Sequence, residues 1–180
     1  MKFLSEQKAL ERLRDLISDL KSEISNNYEH NAKSCITCET KGACCLDAHF
    51  VNVHISRLEA VAIKEALDNL PRTHQQVIKA RIDGAIEEYS LKAEGDTFAQ
   101  TYACPLFEKG MGCLVHMTAK PVPCIMHACY ESPADLPPDE IQTRAETQIE
   151  ILNTRVYERR HSLLPLPLAL RGYAKASPSE

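Results

Sequence analysis

The feature that most constrains this 180-residue chain is a set of eight cysteines, which fall into two groups separated by a helical insert. Polar residues follow Met1 at once, and no apolar stretch of a secretory signal is present, so we expect the protein to be cytoplasmic. In a reducing compartment, clustered thiols favour metal or redox chemistry over disulfides. The cysteines are Cys35, Cys38, Cys44, Cys45, Cys104, Cys113, Cys124 and Cys129.

The spacing within each group indicates metal binding. The first group contains a Cys-x2-Cys pair, Cys35 and Cys38, which lets two thiolates reach one ion from a tight turn. Both groups lie in segments without helical periodicity, and residues 56–93 form a helical insert between them. We therefore expect the two loops to converge and all eight cysteines to serve as ligands for zinc or iron, the latter as single ions or as an iron–sulfur cluster.

The adjacent pair Cys44 and Cys45 suggests more than one site. In an extended backbone, successive side chains point in opposite directions, so both thiolates would not reach one isolated ion in a relaxed conformation. We expect this pair to serve two sites or to bridge a multinuclear centre. Eight thiols are enough for two four-thiolate sites.

Three histidines lie close in sequence to the cysteines and are further ligand candidates. They are His49, His116 and His127. His127 is the best of the three, because Cys124 and Cys129 flank it and fix its neighbourhood. Whether any of them binds metal is left open by the sequence.

The rest of the chain predicts a mostly α fold. Residues 4–28 form a predicted helix with a narrow apolar seam, and residues 139–160 form another with a matching stripe. A seam of about two heptads is too short to be stable alone in water, so we expect these two helices to pack antiparallel. Pairing of the 4–28 helix with a second copy or another protein is the alternative. Ser56 and Glu59 form a capping box that begins a further helix, followed by one at 72–93.

These elements suggest a small helical domain with two Cys-rich loops and helices at both ends. The predicted segments are an N-terminal amphipathic helix (1–30), a cysteine-cluster metal-binding domain (31–132) and a C-terminal helix with an apolar tail (133–180). Prolines interrupt the tail at 163–168, which we expect to be extended.

Composition argues against several functions. The net charge is −4 and the short basic clusters lie on Glu-rich helices, so we expect no nucleic-acid partner. No run approaches the roughly 20 apolar residues of a membrane span, so we expect no membrane partner. The sequence has no nucleophile elbow, phosphate loop or dinucleotide fingerprint, and we assign no catalytic or organic-cofactor residue.

The cysteine motifs resemble those of the YkgJ-type cysteine-cluster family. The segments that carry the resemblance are Cys35-x2-Cys38, Gly42-Ala43-Cys44-Cys45, Cys104-Pro105-Leu106-Phe107, Gly112-Cys113-Leu114-Val115-His116 and Lys120-Pro121-x2-Cys124. They cover about residues 35–129. The chain departs from the family pattern in an insertion at 39–41, in Lys120 and Ile125 where arginines are usual, and in His116 where an aromatic residue is common.

The resemblance implies a zinc- or iron-chelating domain. Flagellin lysine methylases share a similar cysteine pattern, although the sequence shows no methyl-donor site. Two other functions stay open: an iron–sulfur redox protein or modification enzyme, and a helical interaction module in which zinc is purely structural.

Overall fold

A computed structural model describes residues 3–33, 42–46, 51–130, 132–158 and 162–173. Within these ranges the fold is mostly helical, as predicted, with six α-helices and three pairs of two-residue antiparallel strands. The helices are α1 (Glu6–Asn27), α2 (Arg57–Asp68), α3 (Arg72–Glu88), α4 (Val122–Met126), α5 (Asp139–Tyr157) and α6 (Leu166–Tyr173). The strands are β1 (Ala32–Lys33), β2 (His54–Ile55), β3 (Phe107–Glu108), β4 (Gly112–Cys113), β5 (Cys129–Tyr130) and β6 (Leu164–Pro165), paired β1 with β5, β2 with β6 and β3 with β4.

The described residues divide into two compact units, each discontinuous in sequence. The first unit takes residues from Met1–Lys41 and Lys120–His161, and the second from Gly42–Ala119 and Ser162–Glu180. The three segments predicted from the sequence are consecutive stretches, whereas each unit joins two distant parts of the chain. The two terminal helices predicted to flank the cysteine domain, α1 and α5, both belong to the first unit.

The first unit is built on the packing of α1 against α5. Ser5 caps α1 by accepting a hydrogen bond from the Lys8 N–H. The apolar seam of α1 is buried along its whole length: Ala9, Leu10, Leu13, Ile17, Leu20 and Ile24. The matching stripe of α5 is also buried: Ile141, Ala145, Ile149 and Leu152. Burial of these two faces supplies the main hydrophobic stabilisation of the first unit.

Polar contacts at both ends show that α1 and α5 run antiparallel. At the start of α1, the Leu4 N–H donates to the Arg155 carbonyl (3.1 Å), which lies near the end of α5. Near the end of α1, Glu23 forms an ion pair with Arg144 (2.6 Å), which lies near the start of α5. The predicted intramolecular antiparallel pairing is therefore confirmed.

The second unit packs α2 and α3 against α6. The predicted capping box begins α2: the Ser56 hydroxyl accepts from the Glu59 N–H, and the Glu59 carboxylate accepts from the Ser56 N–H. Tyr102, fully buried, donates its hydroxyl hydrogen to the Val53 carbonyl and accepts from the Leu166 N–H (3.2 Å). This side chain links the chain before α2 to the start of α6.

The apolar tail differs from the extended conformation expected from its prolines. Leu164 and Pro165 pair with β2, but Leu166 begins α6, and Pro167 is the second residue of that helix. A proline is tolerated in the first turn because its missing N–H would have no intrahelical partner there. Residues 166–170 are buried in the second unit.

No helix within the described ranges is long and apolar enough to cross a membrane.

The α1–α5 interface can be tested by placing charges on the seam. Replacing both Leu13 and Leu20 with Asp should lower the free energy of unfolding by at least about 3 kcal/mol per site, because each buried leucine is replaced by a charge without a partner. Urea denaturation followed by circular dichroism measures the loss, and light scattering checks that the mass in solution stays unchanged.

A matched control adds the same two charges to α1 at exposed positions, as Ser18→Asp with Ser22→Asp. This variant should stay within about 1 kcal/mol of wild type. An equal loss of stability in both variants, or a halving of mass in the seam variant alone, would contradict intramolecular packing.

Candidate metal centre

The second unit brings together members of both cysteine groups. The 3₁₀ turn Ala43–Cys45 is closed by a hydrogen bond from the Cys45 N–H to the Gly42 carbonyl (2.8 Å). The Cys45 carbonyl in turn accepts a hydrogen bond from the Cys104 N–H (2.8 Å). The predicted convergence of the two groups is therefore observed for these cysteines.

Cys104 opens a tight turn that continues into a β-hairpin. The Phe107 N–H donates to the Cys104 carbonyl (3.2 Å), which closes the turn. Phe107 then pairs with Cys113 across β3 and β4, and the Leu114 N–H donates to the Leu106 carbonyl (3.0 Å). The hairpin thus returns Cys113 to the neighbourhood of Cys104.

Gly42 lets the first cysteine turn approach the hairpin. Its φ of +82° lies in the left-handed region, and a Cβ at this position would lie 1.8 Å from the Phe107 Cζ. Real Cβ contacts are never this short, so any larger residue would displace the aromatic ring or the turn. The glycine is therefore required both by backbone conformation and by close contact with Phe107.

The Cys104 sulfur lies in an environment that opposes an isolated charge. The pKa of this thiol is raised to about 11, mainly by burial and to a smaller extent by the nearby Cys113 and Cys44 thiols. Hydrogen bonds from the Leu106 and Phe107 N–H groups act in the opposite direction. The residue as a whole is partly exposed, while burial of its thiol group is the main cause of the raised pKa. Three cysteines from the two groups are therefore close enough to interact electrostatically.

The backbone at Cys44 and Cys45 is not extended. Both residues belong to a 3₁₀ turn, in which successive side chains are about 120° apart around the axis instead of opposite. The geometry that argued against one shared ion is therefore absent from this pair. That both thiolates belong to one site is compatible with the turn, and the expectation that they serve two sites or bridge a multinuclear centre stays a prediction.

The other members of the second group lie in the first unit. Cys124 is on α4 and is partly buried, and Cys129 begins β5, where its backbone pairs with that of Lys33. Cys35 and Cys38 lie outside the described residues, as does His49. His116 and His127 are exposed. The structure thus places both histidines at the surface.

A charged network that the sequence did not predict holds the hairpin against α3. Arg81 donates to the Phe107 carbonyl (3.1 Å) and to the Glu108 carboxylate (3.0 Å), and His74 lies 3.1 Å from the same carboxylate. The hydrogen bond from Arg81, then that from His74, lowers the pKa of Glu108. His74 and Arg81 are seven residues apart and share one face of α3, but no local pattern identifies Glu108 as their partner.

The cysteines with described side chains are thiols and form no disulfides with one another: Cys44, Cys45, Cys104, Cys113 and Cys124. In the part of the chain that the structure describes, no group of three or more His, Cys, Asp or Glu side chains is arranged as a metal site. The turns bring the cysteines of the second unit together without the sulfur arrangement of a coordinated ion.

The requirement for Gly42 can be tested with Gly42→Ala. This change should destabilise the second unit by about 2–4 kcal/mol, because it combines a left-handed backbone conformation with the contact on Phe107. Thermal denaturation measures the effect. Gly95→Ala is the matched control, since its φ is +80° and no atom lies within 4 Å of the added Cβ. The control should lose only about 1 kcal/mol, and equal losses would remove the Phe107 contact as the cause.

Comparison with known proteins finds no matching family model, no matching curated protein and no matching solved structure.

Proposed function

We propose that this protein binds zinc or iron through cysteine thiolates contributed by both sequence groups. One observation carries the proposal: the hydrogen bond from Cys104 to the Cys45 carbonyl joins two cysteine turns that are far apart in sequence. Thiols collected from distant loops are typical of metal sites in reducing compartments. All eight cysteines are the proposed ligands, and the contacts among Cys44, Cys45, Cys104 and Cys113 support the proposal.

The surroundings of Cys104 fit a metal-bound thiolate. Burial raises the pKa of the thiol, so the enclosed sulfur does not carry a negative charge without a nearby cation. A bound metal would supply that cation. The N–H groups of Leu106 and Phe107 act on the sulfur in the way that outer hydrogen bonds offset the charge of metal-bound thiolates.

Neighbouring residues would hold the ligands in place. Gly42 permits the first turn to lie against Phe107, and the β3–β4 hairpin carries Cys113. Arg81 binds the hairpin backbone at Phe107 and also pairs with Glu108. A metal would supply the cross-link between the two loops, while these residues limit how far each loop can move.

The sequence motifs support the same proposal. Three of the five segments that carry the resemblance to the YkgJ-type family, 42–45, 104–107 and 112–116, lie in the second unit. The proposal also places the protein in the reducing cytoplasm, where thiolates remain available for metal.

Metal content tests the proposal. Protein purified anaerobically should contain stoichiometric zinc and be colourless, or contain iron with sulfide and show the broad visible absorption of an iron–sulfur cluster. Cys113→Ser should lose metal and melt at a lower temperature, because metal binding contributes to folding free energy. Elemental analysis, absorption spectroscopy and thermal denaturation measure the three quantities.

Met111→Ser is the matched control for Cys113→Ser. Met111 also carries sulfur, lies in the same hairpin and is 66 % exposed, so its loss should leave metal content unchanged. Wild-type protein that contains neither metal, and that does not bind added Zn²⁺ or Fe²⁺ under anaerobic conditions, would overturn the proposal. A Cys113→Ser variant with full metal content would remove Cys113 from the ligand set.

A further inference from the structure

We infer that Cys44, Cys45, Cys104 and Cys113 form a complete four-thiolate metal site within the second unit, and that Cys124 belongs to a different site. This inference rests on the proposed function and specifies which ligands act together. It assigns the cysteines by their place in the fold, and so divides the second of the two groups that their sequence spacing defines.

The division of the chain into units supports this assignment. The second unit begins at Gly42 and its first segment ends at Ala119, so it includes the last two cysteines of the first group and the first two of the second. Cys124 lies beyond that boundary on α4, which packs against α1 and α5 in the first unit. The second sequence group is therefore divided by the fold, with Cys104 and Cys113 in one unit and Cys124 in the other.

Backbone contacts within the second unit link all four cysteines. Cys45 accepts a hydrogen bond from Cys104, the turn from Cys104 leads into β3, and β3 pairs with the strand that contains Cys113. Cys44 precedes Cys45 in one 3₁₀ turn. These connections are made by the main chain and bring the four cysteines into one part of the second unit. Their side chains would have to reorient to share an ion, because they do not form a metal-binding group in this structure.

Four thiolates are the ligand set of a closed structural zinc site and of a single iron–sulfur cluster. With Zn²⁺ such a site has a net charge of about −2, which N–H donors to sulfur can offset. The 3₁₀ conformation at 43–45 removes the opposed side-chain directions that an extended Cys-Cys pair would have. No cysteine from the first unit is then needed to complete coordination.

Protection of the cysteines by bound zinc against maleimide labelling, measured in the wild-type protein, tests this assignment. The chain is loaded with Zn²⁺, and the metal is removed stepwise with a chelator. Exposed thiols are labelled with a maleimide, the number of bound ions is read by native mass spectrometry, and the labelled positions by peptide mapping. In species that have lost part of their zinc, the four cysteines of the second unit should be labelled or protected together. The labelling of Cys124 should change at a different stage of zinc removal.

Two variants provide an independent measurement. Cys124→Ser should keep zinc protection at Cys44, Cys45, Cys104 and Cys113, and lose about half of the bound zinc. Cys104→Ser should abolish protection at Cys44, Cys45 and Cys113 while Cys124 stays protected. Circular dichroism on both variants checks that α-helix content is retained.

The outcomes separate this inference from the proposed function. If wild type binds no zinc and no iron, the proposed function fails and the inference fails with it. If wild type binds metal but Cys124 is labelled together with the other four in every partly loaded species, the assignment is wrong while metal binding stands. Partial loading of the wild type decides between these outcomes even if a variant fails to fold.

Discussion

The hydrogen bond from the Cys104 N–H to the Cys45 carbonyl is the contact on which the candidate metal centre depends. It joins a 3₁₀ turn from the first cysteine group to a turn from the second, although a pair of helices separates the two in sequence. The turn at Gly42 and the hairpin at Phe107 can approach closely because the glycine has no Cβ. Without this approach, the turn that carries Cys45 could not lie against the hairpin that carries Cys113.

The two units stabilise their cysteines by different means. In the first unit, long apolar faces on α1 and α5 support the short helix α4, which carries Cys124. In the second unit, a core formed by α2, α3 and α6 supports the cysteine turns, and Arg81 fixes the hairpin through Glu108. Leu106 and Val115, which lie on either side of the hairpin strands, also belong to this core, so the cysteine turns of the second unit are anchored in it.

Sequence reasoning succeeded where the signal is local. The seam of α1, the capping box at Ser56 and the stripe of α5 depend on residues three or four positions apart, and the structure confirms each of them. It did not predict α6, because prolines in an apolar segment usually interrupt a helix. Pro167 lies in the first turn of α6, where a proline is tolerated. The 3₁₀ turn at Cys44 was also not predicted, since a turn of three residues is too short to show a periodic pattern of apolar residues.

Long-range features could not be predicted from one sequence. The partner of Arg81 is 27 residues away, and the contact of Gly42 with Phe107 spans an even longer stretch of chain. The same is true of the division of the cysteines between two units, which depends on how the helices pack and not on the spacing of the thiols. The motifs predict that the cysteines act together, whereas the fold shows which of the described cysteines belong to the same unit.

X-ray absorption spectroscopy at the metal edge of anaerobically purified protein tests whether cysteine thiolates bind the metal, because it identifies the atoms bound to the metal. We expect a first shell of about four sulfur atoms at about 2.3 Å from the metal, for zinc and for an iron–sulfur cluster alike. A first shell dominated by oxygen or nitrogen atoms at about 2.0–2.1 Å would contradict it.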